Sequence, residues 1–137
     1  MRTLAIDHGT VRMGIALSDE LGIIASPLEF IPAVPFADFL ARLQQLLAEK
    51  EVGLILVGMP RNMNGTYGPA AEKVQALVAQ LKPAVTVPIR TWDERLTSIQ
   101  ANRCLTEGGV RREDRKGKVD AVAAAILLQS FLDSQSA

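Results

Sequence analysis

The chain has 137 residues, 48% apolar and only 4% aromatic, and its 15 basic and 15 acidic residues give a formal net charge of zero. Length and apolar content fit one aliphatic-cored domain (1–137) and exclude wholesale disorder, while the charge balance argues against a general polyanion binder. The lone Cys104 excludes an internal disulfide or a Cys-type zinc site, and the absence of a secretion signal or a run of roughly 18 apolar residues leads us to expect a soluble, cytoplasmic protein with no membrane partner.

Thr3 to Ile6 predicts a first strand, interrupted by "DHGTVR". Met13 to Ser18 predicts a second, and "DELG" a tight turn after it. "IIASPLEFI" reads as a third strand, in which Pro27 points to an edge position or a bulge. In "PFADFLARLQQLLAEKE" the residues Phe36, Phe39, Leu40, Leu43, Leu46 and Leu47 make a helical stripe. "VGLILVG" is a continuous apolar run, as expected of a strand buried on both faces. A loop, "MPRNMNGTYGP", precedes a helix from Pro69 to Leu81, with the proline suited to its first turn. "AVTVPIRTW" predicts a fifth strand. Thr97 and Gln100 have capping-box spacing for a helix ending at Gly108-Gly109, and a last helix is expected from Val119 to Leu132.

The resulting order is β-β-β-α-β-α-β-α-α. Three antiparallel strands come first. Helical crossovers then add two more, parallel to the first strand, which gives a five-stranded mixed α/β sheet. Ligands of parallel sheets bind at the carboxyl ends of the strands. Asp7, Gly58 and Asp93-Glu94 all follow such ends.

Asp7 ends an apolar strand, where an aspartate can cap the turn through backbone amides or face a ligand. Gly9 and Gly14 permit the tight return and would also let a phosphate or metal approach the backbone. In "KVDAVAAAILL", Asp120 precedes Ala123, Ala124 and Leu127 on a small, apolar helical face. Lys116, four residues earlier, could pair with it at an exposed position. On an apolar face a cation or second buried partner accounts for it better, because an unpaired buried carboxylate is costly. Strand alternation sends Asp93 and Glu94 to opposite faces, and periodicity does not choose between them. Carboxylates held together repel unless a cation joins them, and hard oxygen donors select Mg²⁺ or Mn²⁺ over zinc. Two such ions about 4 Å apart can activate water and stabilise the leaving oxygen of a phosphodiester. His8 should point away from Asp7 and is not expected to act. "RREDRKGK" (residues 111–118) is locally +3, a solvated loop or a nucleic-acid contact.

"IDHGTVRMGIA", "GMPRNMNG", "WDERLTS" and "KVDAVAAAILL" together resemble the YqgF (RuvX) family of RuvC-like nucleases, in order and spacing over nearly the whole chain. The resemblance implies an RNase H-like fold and a two-metal-ion nuclease with Mg²⁺ or Mn²⁺ as cofactor. It carries over Asp7, Glu94 and Asp120 as catalytic and metal-binding acids, and so selects Glu94 over Asp93. Arg12 matches the family's arginine after the first strand, for phosphate contact, carboxylate orientation or a turn salt bridge. Arg95, Lys116 and Lys118 are candidates to hold the nucleic acid. Residues 108 to 118 resemble a flexible basic loop. Family members resemble enzymes that process the 5′ end of pre-16S rRNA, and some resemble Holliday junction resolvases. Precursor rRNA is thus the expected partner, branched DNA the alternative, and the chain a monomer or homodimer. Rival readings are a catalytically silent RNA-binding assembly factor and an actin- or Hsp70-like ATPase, the latter disfavoured because it needs two such domains. Trp92 and Tyr67 could stack on bases or be partly buried.

Overall fold

In a computed structural model, residues 1–60, 68–93 and 112–135 are described, the side chains of 112–120 excepted. Strands β1 (Arg2–Asp7) and β2 (Arg12–Ser18) pair antiparallel, with Leu4 opposite Leu17 and Asp7 opposite Gly14. Asp19 closes the following turn. Its Oδ1 accepts the Ile23 and Ile24 amides at 2.7 and 3.1 Å, and Gly22 takes a φ of 71°. Those two bonds hold the Asp19 carboxyl below its ordinary pKa. Strand β3 (Ala25–Pro32) then pairs antiparallel with β2 at the sheet edge. Its register shifts where Ile15 pairs with Glu29 and Ala16 with Pro27. Pro27 therefore sits both at an edge and at a bulge, where a missing N–H costs least.

Helix α1 (Phe36–Glu49) buries Phe39, Leu43 and Leu46 from the expected stripe. Strand β4 (Val52–Met59) lies beside β1, and α2 (Pro69–Leu81) leads to β5 (Ile89–Asp93). The sheet order is β3-β2-β1-β4-β5, with β1, β4 and β5 mutually parallel. Helix α3 (Arg112–Gln135) closes the chain. The expected mixed sheet, three antiparallel strands extended by two parallel ones, is present.

Two elements depart from expectation. β5 begins only at Ile89, five residues later than the apolar run suggests. The Ala84 and Val85 amides cap α2 by donating to the Leu81 carbonyl at 2.9 and 3.1 Å, so they are not spent on a ladder. Pro83 and Pro88 have no amide to give. The last helix begins at Arg112 rather than Val119, so it takes in most of the segment expected to be a basic loop. Arginine, lysine and glutamate are good helix formers and lack only the apolar periodicity by which a helix is read. The helix expected from Thr97 lies outside the described residues, as do Tyr67 and most of the "MPRNMNGTYGP" loop.

The sheet has unlike faces. On one, Leu4, Ile6, Met13, Ile15, Val57 and Met59 pack with Phe39 and Leu43 of α1 and Val74 and Leu77 of α2. On the other, Ala5, Ala16 and Leu56 pack with Ala124, Leu127, Leu128 and Phe131 of α3. β4 contributes to both, as its unbroken apolar run predicts. Among the described residues no helix is long and apolar enough to cross a membrane.

Candidate metal and nucleic-acid site

Alternation along β1 sends Leu4 and Ile6 into the core under α1 and α2 and Ala5 into the core under α3. Asp7, the last residue of β1, therefore takes the α3 face, half-buried at the carboxyl end of the central strand. Its partner on β2 is Gly14. On the other side Ile6 pairs with Val57, so Gly58 comes next beside Asp7. The sheet thus carries glycine on both sides of this carboxylate. Both glycines are buried, and neither strand puts a side chain on the α3 face next to Asp7.

Gly9 has a separate necessity. A Cβ at this position would overlap the Arg12 carbonyl oxygen. The turn can therefore bring Arg12 back toward Asp7 only with glycine there. Arg12 shares the parity of Gly14 and Ala16, so it lies on Asp7's face, with its guanidinium carbon 5.7 Å from the Phe30 ring centroid. His8 lies on the opposite side, as expected. Burial, and secondarily the nearby Lys73 of α2, hold its imidazole below its ordinary pKa, so it is neutral at pH 7.

At β5 the faces separate the two adjacent acids. Trp92 packs on Phe131 of α3, ring centroids 5.3 Å apart and edge to face, and donates its Nε1–H to Ser130 Oγ at 3.2 Å. Its partial burial matches the plainer of its two expected roles. Asp93 pairs in register with Met59, which belongs to the α1–α2 core. Asp93 therefore takes the face away from Asp7. Glu94 and Arg95 lie outside the described residues.

Asp120, Lys116 and Lys118 are all on α3. Placing the two lysines on a helix corrects the loop expected for residues 108 to 118. Position 120 is one turn before Ala124 and shares a helical face with Ala124 and Leu127, both of which pack on the sheet. Gln129 fixes the helix direction. It accepts the Ala25 amide and donates to the Ile23 carbonyl, each at 2.9 Å, beside the amino end of β1. Ala25 pairs there with Ser18, whose hydroxyl accepts the Thr3 amide at 2.9 Å. Position 120 precedes Gln129 by about 13 Å of helix axis. Thr3 to Asp7 spans about 13 Å of strand. The helix, packed along β2 and β3, thus leads from the Asp7 end of the sheet toward the amino end of β1. Among the described residues no three His, Cys, Asp or Glu side chains form a cluster, since Asp7 alone of the three acids has a described side chain.

Sequence reasoning missed Phe30. It sits in an edge strand and is 46% exposed. No periodicity in "SPLEFIP" singles it out, because only strand pairing sets Phe30 in Asp7's row.

A family model for RuvX, described as Holliday junction resolvase, matches residues 1–134. A protein of Desulforamulus reducens is 45% identical over 134 residues, covering 98% of each chain, and one of Geobacillus kaustophilus is 44% identical over 137 residues, covering 98% and 99%. Both carry the provisional name pre-16S rRNA nuclease. Among solved structures, Thermus thermophilus RuvC with a Holliday junction substrate superposes with a TM-score of 0.55 at 19% identity, covering 99% of this chain and 96% of that one. Fowlpox virus resolvase with Holliday junction DNA gives 0.56 at 10% identity, covering 98% and 99%. These likenesses establish the RuvC-like, RNase H-like fold read from the sequence. Matched along nearly its whole length, the chain belongs to the RuvX family.

Proposed function

We propose that this chain hydrolyses phosphodiester bonds at a divalent-metal centre formed by Asp7, Glu94 and Asp120, and that its substrate is the 5′ end of pre-16S rRNA. The observation that carries the reading is Asp7 itself: a carboxylate at the carboxyl end of the central strand, with glycines on both neighbouring strands and the Asp120-bearing helix on the same face. The donor set suits Mg²⁺ or Mn²⁺, being all carboxylate oxygen. When bound, such ions supply Lewis acidity, making water a better nucleophile and neutralising charge on the departing oxygen.

The chain's own residues do the rest. β1, paired on both sides, holds Asp7 in place, and Gly14 and Gly58 put no side chain of their own beside it. Arg12 brings a cation to the same face to meet phosphate oxygens. Lys116 and Lys118, which precede Asp120 on α3 by four and two residues, and Arg95 hold the strand. The neutral His8 has no part in the proton transfers. Relatives named for pre-16S rRNA support the RNA substrate, and the cytoplasm is where such a precursor would be met.

The test is cleavage of a pre-16S rRNA 5′ leader and of a four-way DNA junction, with Mg²⁺ or Mn²⁺, by the native chain and by Asp7→Asn, Glu94→Gln and Asp120→Asn. Loss of cutting in all three, with folding retained, is expected. Undiminished cutting by any one removes that residue from the centre. RNA cutting without junction cutting is expected, and the reverse would make the chain a resolvase. RNA binding without cutting by the native chain would make it a silent assembly factor.

A further inference from the structure

Phe30 pairs with Gly14, and Gly14 with Asp7, so the three form one row across β3, β2 and β1. At about 4.8 Å per strand, Phe30 is about 10 Å from Asp7. It shares Asp7's face. Its neighbour Ile31 is buried in the α1–α2 core, and Glu29 receives two hydrogen bonds from Arg42 of α1, at 2.7 and 3.0 Å. The residue between, Gly14, has no side chain. The ring remains 46% exposed although α3 packs along β3. Arg12 sets a guanidinium 5.7 Å from the ring centroid.

We infer that Phe30 is a positioning residue that stacks on a nucleobase of a single-stranded segment of the substrate, within a few nucleotides of the bond cut at Asp7, while Arg12 meets the adjoining phosphate. The inference rests on the nuclease reading above. An exposed ring beside a cation matches the alternation of base and phosphate along a strand. Gly14, between ring and carboxylate in this row, adds no side chain of its own. The segment must be unpaired there, because a base within a duplex has both faces covered by its neighbours. The stacking is tolerant of base identity, so it positions the strand and does not read sequence.

Single-stranded RNA and DNA of one sequence, carrying 2-aminopurine at successive positions, would be titrated into the Asp7→Asn chain, which is expected to bind without cutting. Stacking predicts fluorescence quenching at one position, lost in Phe30→Ala and kept in Phe30→Tyr. Phe30→Ala should weaken binding about 5- to 100-fold. In the otherwise native chain it should raise KM by a similar factor with kcat within about 2-fold. Quenching on RNA but not DNA would identify the ribose strand as the ligand. Unchanged binding and quenching in Phe30→Ala overturns the inference, as does full activity in Phe30→Leu. A Phe30→Ala chain that sediments as a smaller species than the native one would assign the ring to self-association instead. If the native chain cuts and these variants behave as native, only the stacking role falls. If Phe30-dependent quenching persists but no substrate is cut, only the nuclease reading falls.

Discussion

Under α1 and α2 the sheet presents Leu4, Ile6, Ile15 and Val57 to Phe39, Leu43 and Leu77; under α3 it presents Ala5, Ala16, Gly14 and Asp7 to Ala124, Leu127 and Leu128. The first face is filled by large aliphatic side chains from both layers, and its burial supplies most of the hydrophobic stabilisation. The second keeps its β1 and β2 residues small, with Leu56 of β4 the large exception, and α3 packs over them. With the proposed site, stability and chemistry therefore fall on opposite sides of one five-stranded sheet. Substitutions on the first should change stability and leave the activity of each folded molecule alone. On the second, even conservative changes should disturb both.

The largest effect expected on stability is from Phe39→Ala, which removes a fully buried ring from the α1 side. It should cost about 3–5 kcal/mol in chemical denaturation while cleavage per folded molecule stays native. Proportionate loss of activity beyond the unfolded fraction would show that the faces are not independent. Ala124→Leu tests the other side. The Ala124 site has no exposed surface, and overpacking there should cost about 1–3 kcal/mol. Because α3 must then move from the sheet, cleavage should fall far more than the unfolded fraction explains. Ser18→Ala leaves the Thr3 amide without its acceptor at the amino end of β1. About 1–3 kcal/mol of stability should be lost, with no change in cleavage per folded molecule, since this end is remote from Asp7.

The smallest effect concerns His8. Its folded pKa lies below the unfolded value of 6.5. Between the two, the unfolded chain binds more protons, so stability falls as pH drops below about 6.5 and levels off beneath the folded pKa. His8→Gln should flatten that slope in denaturation measured across the window and leave the pH profile of cleavage unchanged. A shifted cleavage profile would bring His8 into the mechanism.

The sheet order was legible because each connection carries a distinct signal: tight turns for β1–β2–β3, amphipathic helices for the crossovers. Pro27 pointed to an edge or a bulge, and β3 has both there. Where sequence reading fell short, backbone bonding decided. The amides of Ala84 and Val85 cap a helix, and the charged start of α3 has no apolar rhythm to betray it. Asp7 was visible as a carboxylate ending an apolar strand. The parity of Asp93 was not, because it depends on where β5 starts relative to β4. Nor was the pairing of Gly14 and Gly58 around Asp7, which requires the register of three segments distant in sequence. Phe30 was silent for the same reason: only strand pairing puts it in Asp7's row.

The central claim, that Asp7, Glu94 and Asp120 act as one divalent-cation site, is tested most directly by calorimetric titration of Mn²⁺ into the native chain and into Asp7→Asn, Glu94→Gln and Asp120→Asn. Saturable binding that weakens at least 10-fold in each folded variant is the predicted result. Native-like Mn²⁺ affinity in all three would contradict it.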